Sequence, residues 1–266
     1  MAIIDVNFFS NALARQVSYK AIIPVDGAVF PGRPAKEIKP FKTIYLLHGL
    51  FGDFTDWLIK SRIALFAEEN NVAVIMPSGE NSFYVDHESS RSYYGEYIGN
   101  EIVEETRKLF NLSHNREDTF ITGLSMGGYG ALRNGLKYYN NFGAIAALSS
   151  ALIIDDAINS TEENTFEFGR KSYYEAVFGK VENIKDSDKD IEALVKKIKT
   201  ENGDMPRLYI ACGTEDSLIN NNHKFRDFLI SENVAHTYEE GPGIHDWKFW
   251  DEYIEKSIKW LLNIEK

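Results

Sequence analysis

The chain has 266 residues, with 29 basic and 40 acidic side chains giving a formal charge of −11, and is 44% hydrophobic and 26% charged. This balance excludes collagen-like and disordered compositions, and the acidic surplus argues against a nucleic-acid partner, because phosphate binding rests on clustered Lys and Arg. The single cysteine, Cys212, excludes an intrachain disulfide and any multi-cysteine metal site, and reads as a small packed residue.

In chain order, the opening M-A-I-I-D-V-N-F-F has no basic region ahead of a long apolar stretch, so no signal peptide is expected. No apolar run approaches the ~20 residues of a membrane span, and a cytoplasmic location is expected. From residue 3 to residue 24 apolar and polar residues alternate, which predicts antiparallel strands or a hairpin. The Gly/Pro-rich stretch D-G-A-V-F-P-G-R-P, residues 26–34, reads as a loop. Short apolar runs at 44–47, 73–76, 119–122, 144–148 and 208–211 predict strands covered on both faces, as in parallel sheets.

Helical patterns fill the gaps. Ile98, Ile102 and Leu109 share a face, with Val103 and Phe110 beside it. Ile191, Leu194, Val195 and Ile198 form a second stripe, and Trp247, Trp250, Ile254, Ile258 and Leu261 a third through a C-terminal helix. Strand–helix–strand succession implies an α/β class: a mostly parallel, doubly wound sheet with helices on both faces. No repeat or linker divides the chain, so a single domain over 1–266 is expected. Residues 151–200 carry no clear strand and read as a small helical cap insertion. Residues 155–205 hold 13 acidic and 8 basic side chains, so nearly half the surplus charge sits there and reads as a solvated surface.

The chemistry concentrates after the third of these runs. Gly123, Ser125 and Gly127 make a G-x-S-x-G between a buried strand and a helix-forming stretch, the setting of a nucleophile elbow. A P-loop is excluded because Gly128-Tyr129 stands where Lys and Ser/Thr are required. The dinucleotide pattern fails at Arg133. A serine nucleophile needs a base and an acid later in the chain. His48, His87 and His114 precede Ser125, and His223 and His236 fall in helix-like and strand-like runs. His245, in the Gly/Pro loop before the last helix, is the candidate base. Asp216, just past the run ending at Ala211, is the preferred acid, with Glu215 and Asp246 as alternatives. The oxyanion hole is assigned to the N–H groups of Met126 and of Leu50, the latter in the loop after the strand that ends at His48-Gly49. The His48 ring is expected to hold that loop in shape. Phe51, Trp57, Tyr84 and Trp247 are candidates either for a pocket wall or for the core.

These motifs, L-L-H-G-L-F-G-D-F-x-D-W, G-L-S-M-G-G-Y-G-A-L, C-G-T-E-D and G-x-H-D-W-x-F-W, occur in the order found in the esterase D-like α/β-hydrolases. The chain most resembles their small bacterial tributyrin (acetyl) esterases. The resemblance implies an α/β-hydrolase fold and a carboxylesterase for short acyl chains that uses no cofactor or metal. Its partner would be a small-molecule ester, with no nucleic acid and no membrane span; a homo-oligomer is left open. By this resemblance Ser125, Asp216 and His245 inherit the triad, and Leu50 and Met126 the oxyanion hole. The related S-formylglutathione hydrolases usually carry histidine where Tyr129 stands and Leu-Thr-Cys where Leu50-Phe51-Gly52 stands, which argues against a glutathione thioester. Feruloyl and acetyl-xylan esterases share the elbow and remain alternatives, as do an acyltransferase and a non-catalytic binding protein on the same fold.

Overall fold

The computed structural model describes residues 1–26 and 39–264. All but the first residue of the Gly/Pro stretch 26–34 lies outside the described residues. Eight strands form one sheet: β1 (Ala2–Ser10), β2 (Arg15–Ile23), β3 (Thr43–Leu47), β4 (Ala73–Pro77), β5 (Thr119–Leu124), β6 (Ala144–Leu148), β7 (Arg207–Gly213) and β8 (His236–Gly241). Their order is β1-β2-β4-β3-β5-β6-β7-β8. The β1–β2 hairpin and the β2–β4 pairing are antiparallel, and every pairing from β4 to β8 is parallel. This is the mostly parallel, doubly wound sheet the apolar runs predict.

Side-chain alternation splits the core into two layers. Ile44 and Leu46 of β3 face a layer built with helix α2 (Ile63–Glu69) and the C-terminal helix, whereas Tyr45 and Leu47 face the opposite layer. Short α1 (Asp56–Lys60) precedes α2. The opposite layer holds α3 (Ile102–Leu109) and α4 (Met126–Lys137). Every residue of β3 to β6 is buried, which is why these strands read as unbroken apolar runs.

Leu109 departs from the expectation. Residues 97–101 form a π-helical turn ahead of α3, whose extra residue alters only how Ile98 is set against α3. The buried face runs through Ile98, Ile102, Val103 and Thr106, while Leu109, the last residue of α3, is exposed.

The insertion also differs from a uniform cap. Between β6 and β7 lie α5 (Ile154–Ile158), α6 (Lys171–Phe178) and α7 (Ile191–Thr200). Leu194, Val195 and Ile198 of α7 pack in the same core layer as Leu136 of α4, so α7 is an ordinary crossover helix. Asp190 caps it, accepting from the Glu192 and Ala193 N–H groups at 3.1 and 3.5 Å. Only the segment before α7 reaches the loops at the carboxyl ends of the strands, through the contact of Phe168 with Phe51. Helices α8 (Ile219–Ser231) and α9 (Trp247–Leu261) complete the chain, α9 with the expected apolar stripe. Among the described residues no helix is long and apolar enough to cross a membrane.

Candidate active site

Ser125 sits between the last residue of β5 and the first of α4, with φ +54° and ψ −117°. This turn is possible because its flanks carry no side chain. A Cβ on Gly123 would lie 2.5 Å from the Gly127 carbonyl oxygen, and one on Gly127 would lie 2.5 Å from the His48 and Leu47 carbonyl oxygens. Only glycine permits strand and helix to approach this closely. The serine side chain does not cap its own helix. It points instead to His245, whose Nε2 is 2.9 Å from Ser125 Oγ.

His245 belongs to the loop between β8 and α9, and Asp216 to the loop after β7. The His245 Nδ1 lies 2.9 and 3.1 Å from the two carboxylate oxygens of Asp216. With its other nitrogen on a hydroxyl, the ring is held in the orientation a general base requires. The Asp216 side chain is fully buried, and burial alone would raise its pKa. The hydrogen bonds from His245, the Leu218 N–H (2.8 Å) and the Ser149 hydroxyl outweigh that burial and hold the carboxyl below its ordinary value.

The two alternative acids lie on other partners. Glu215 Oε2 accepts from the Gly243 N–H at 2.7 Å, and this bond holds its carboxyl below the ordinary range while fastening the loop that carries His245. Asp246 caps α9, accepting from the Phe249 N–H at 3.1 Å. Neither contacts the His245 ring.

The loop after β3 is fixed on several sides. The His48 ring accepts the Gly79 N–H at Nε2 (2.8 Å), so Nδ1 carries the hydrogen and donates to the Gly49 carbonyl (2.7 Å). Burial pushes the His48 pKa down, which keeps this ring neutral. Its shaping role is thus the one expected. Trp57 and Tyr84 are not exposed pocket walls. Both are buried, with the Trp57 indole donating to the Leu47 carbonyl (2.9 Å) and the Tyr84 hydroxyl to the His48 carbonyl (2.9 Å). The Phe51 N–H donates to Asn81 Oδ1 (2.9 Å), while the Leu50 N–H finds no acceptor among the described residues. Met126 is the first residue of α4, where a backbone N–H has no intrahelical partner. The Met126 N–H, next in chain to Ser125, and the Leu50 N–H are thus both without a protein acceptor among the described residues.

Phe51, at φ +67° and 65% exposed, stands edge-on to Phe168 with centroids 4.8 Å apart. Trp247 packs edge-on between Trp57 and Trp250. His223 is paired with Glu240, and His236 Nδ1 lies 2.8 Å from the Val234 carbonyl, so both are occupied elsewhere. His87 Nδ1 faces the Ser89 and Ser90 hydroxyls.

Sequence reasoning missed two supports. Ser149, buried just past β6, accepts the Trp250 indole N–H at 3.1 Å and helps hold the Asp216 carboxyl below its ordinary value. Trp250 in turn lies edge-on to the His245 ring, centroids 4.9 Å apart. Nothing in a Leu-Ser-Ser-Ala string signals this role; only the register of β6 beside β7 creates it. Cys212 is buried, its thiol pushed up to about 12 by desolvation, as suits an inert packed residue.

All these loops lie at the carboxyl ends of β3, β5, β7 and β8, where open α/β sheets bind their ligands. The strand order and this loop arrangement define an α/β-hydrolase, and the chain belongs to the esterase family described as "Putative esterase", whose model matches residues 28–261. It is 46% identical, over 99% of both chains, to an acetyl esterase of Caldicellulosiruptor saccharolyticus. Among solved structures it superposes on the fluorophosphonate-binding serine hydrolase FphF of Staphylococcus aureus, described as substrate bound, with a TM-score of 0.85, 34% identity and 98% of each chain covered. An S-formylglutathione hydrolase from Staphylococcus aureus gives a TM-score of 0.84 at 32% identity, covering 98% of this chain and 99% of that one. The protein is a hydrolase of carboxylic esters.

Proposed function

We propose that this chain hydrolyses short-chain acyl esters, acetyl esters foremost, in the cytoplasm, through an acyl-enzyme on Ser125. The observation that carries the mechanism is the hydrogen-bonded run from Asp216 through His245 to Ser125 at the head of α4. Ser125 Oγ attacks the ester carbonyl while His245 Nε2 takes its proton. The N–H groups of Leu50 and Met126 hold the tetrahedral oxyanion, and Asp216 stabilises the imidazolium. Collapse expels the alcohol, protonated by His245. Water then gives its proton to the same nitrogen and attacks the acyl carbon, releasing the acid and restoring Ser125. The acetyl esterase relative supports a short acyl group.

Ser125→Ala should lower kcat for p-nitrophenyl acetate by several orders of magnitude with little change in stability. Near-normal turnover by the purified variant would overturn the mechanism. An acyl series from acetyl to octanoyl should show kcat/KM falling with length. Hydrolysis of S-formylglutathione is the second reading, favoured by the 32% identical structure of that description. The same assay run with that thioester, a feruloyl ester and added acceptor alcohols ranks these chemistries directly.

A further inference from the structure

The two edges of the sheet are unlike. The β8 edge is short, six residues, and carries the carboxylates Glu239 and Glu240. Short edges with charges are what keep a sheet from pairing with another chain. Strand β1 is longer and its only charge, Asp5, is paired with Lys20 of β2. It runs nine residues as A-I-I-D-V-N-F-F-S, with no lysine and no proline, and among the described residues nothing pairs with its outer side. Its side chains alternate: Ile3, Asp5, Asn7 and Phe9 are exposed on one face, with Ile3 at 49% and Phe9 at 54%, while Ile4, Val6 and Phe8 lean on the core. The strand is paired with β2 at nine positions, and its turn is anchored to Glu101, which accepts from the Asn11 N–H at 2.6 Å.

We propose that β1 is a docking edge for a second copy of this chain, the two β1 strands pairing antiparallel about a two-fold axis at Val6. The chemistry of the strand selects both the partner and the register. A two-fold pairing is isologous, so the strand must complement itself. With the axis at Val6, Ile3 faces the partner's Phe9, Ile4 faces the partner's Phe8, and Asp5 faces the partner's Asn7. Apolar side chains meet apolar ones on both faces, and the one charge on the strand meets a neutral amide. Moving the axis to Asp5 sets two carboxylates opposite each other and leaves Phe9 facing the partner's Met1. Moving it to Asn7 sets Phe9 against the partner's Asp5 and pushes Ile3 beyond the strand. Axes lying between residues oppose outward-pointing backbone groups to inward-pointing ones, so no ladder forms. Of these three central axes only that at Val6 avoids such mismatches, and it would join the sheets of two copies into one of sixteen strands.

The test uses the intact chain. Light scattering after gel filtration at micromolar concentration should give twice the 30.3 kDa chain mass. Ile3→Lys with Phe9→Lys, both exposed positions, should give a monomer with unchanged circular dichroism, because it opposes lysines across the axis. Register is read by cysteines, the native Cys212 being buried. Facing residues of an antiparallel pair have Cα atoms about 4.5–5.5 Å apart, within disulfide reach. Asp5→Cys and Asn7→Cys chains should therefore cross-link when mixed under mild oxidation, and neither should cross-link alone. A monomeric wild type, a dimer untouched by the two lysines, or a cross-link formed by either single cysteine variant alone would each overturn the proposal.

Discussion

Asp216 and Glu215 are adjacent in sequence and serve different groups. The backbone turn after β7 sends one carboxylate inward to the His245 ring and the other outward to the Gly243 N–H of the loop that carries that histidine. Asp216→Asn should therefore cost on the order of 10²–10⁴ in kcat, because an amide at that place no longer favours the charged imidazole or its working tautomer. Glu215→Gln should cost only a few-fold, since the amide oxygen still accepts from Gly243. Parallel kinetics on a p-nitrophenyl ester check both, and a Glu215→Gln loss as large as that of Asp216→Asn would remove Asp216 from its proposed role. At this scale, legibility depends on whether a residue announces itself locally. Ser125 does, framed by two glycines. Trp57 and Tyr84 stay open between pocket wall and core, because an aromatic ring beside a functional loop looks the same in sequence whether it lines a pocket or props a carbonyl. Ser149 is silent, because its partners Trp250 and Asp216 lie 101 and 67 positions away and no local pattern records the pairing.

The elbow is a property of two elements rather than of one residue. Strand β5 and helix α4 meet beside β3, and the Gly127 backbone touches the carbonyls of Leu47 and His48, the same carbonyls that Trp57 and Tyr84 hold. A methyl group at position 127 has only backbone to push against. Gly127→Ala should therefore cost about 1–3 kcal/mol of stability from overpacking. It should also depress kcat through displacement of the Leu50 loop, seen as a lowered urea midpoint with slower ester turnover. An alanine variant with wild-type stability would mean that the β3 loop yields easily. Strands were the most legible elements: β3 to β7 each carry a buried, mainly apolar run, and their bounds differ from the sequence expectation by at most two residues at an end. The helix at 98–110 was the least, because periodicity marks a face but not where its burial ends, and Leu109, in register with Ile102, closes α3 in solvent.

At the scale of the whole molecule, one buried cation ties distant segments together. The Arg133 side chain on α4 is fully buried. It bonds the Asp188 carboxylate and carbonyl from the insertion, Asp86 ahead of α3, and the neighbouring Asn134 amide, while Lys137 reaches the same two aspartates at 3.0 and 2.7 Å. Burial works against both aspartates, yet the opposed charges hold Asp86 and Asp188 below the ordinary carboxylate value. Removing the cation would leave Asp86, only 18% exposed, with Lys137 as its remaining charged partner. Arg133→Gln should therefore destabilise the protein by about 3–5 kcal/mol, the cost of breaking a buried pair from one side. Asp188→Asn should cost only about 1 kcal/mol, because that side chain is 39% exposed and its carbonyl still receives Arg133. Urea unfolding of the two variants separates a network centred on the buried arginine from a set of surface pairs, since equal and small losses would show that the insertion is held by its apolar contacts alone. The sequence could not disclose this arrangement: Arg133 reads there as the residue that spoils a dinucleotide motif, and its partners stand 47 and 55 positions away. It is the packing of α4 between two long connections that turns an ordinary helical arginine into their common anchor.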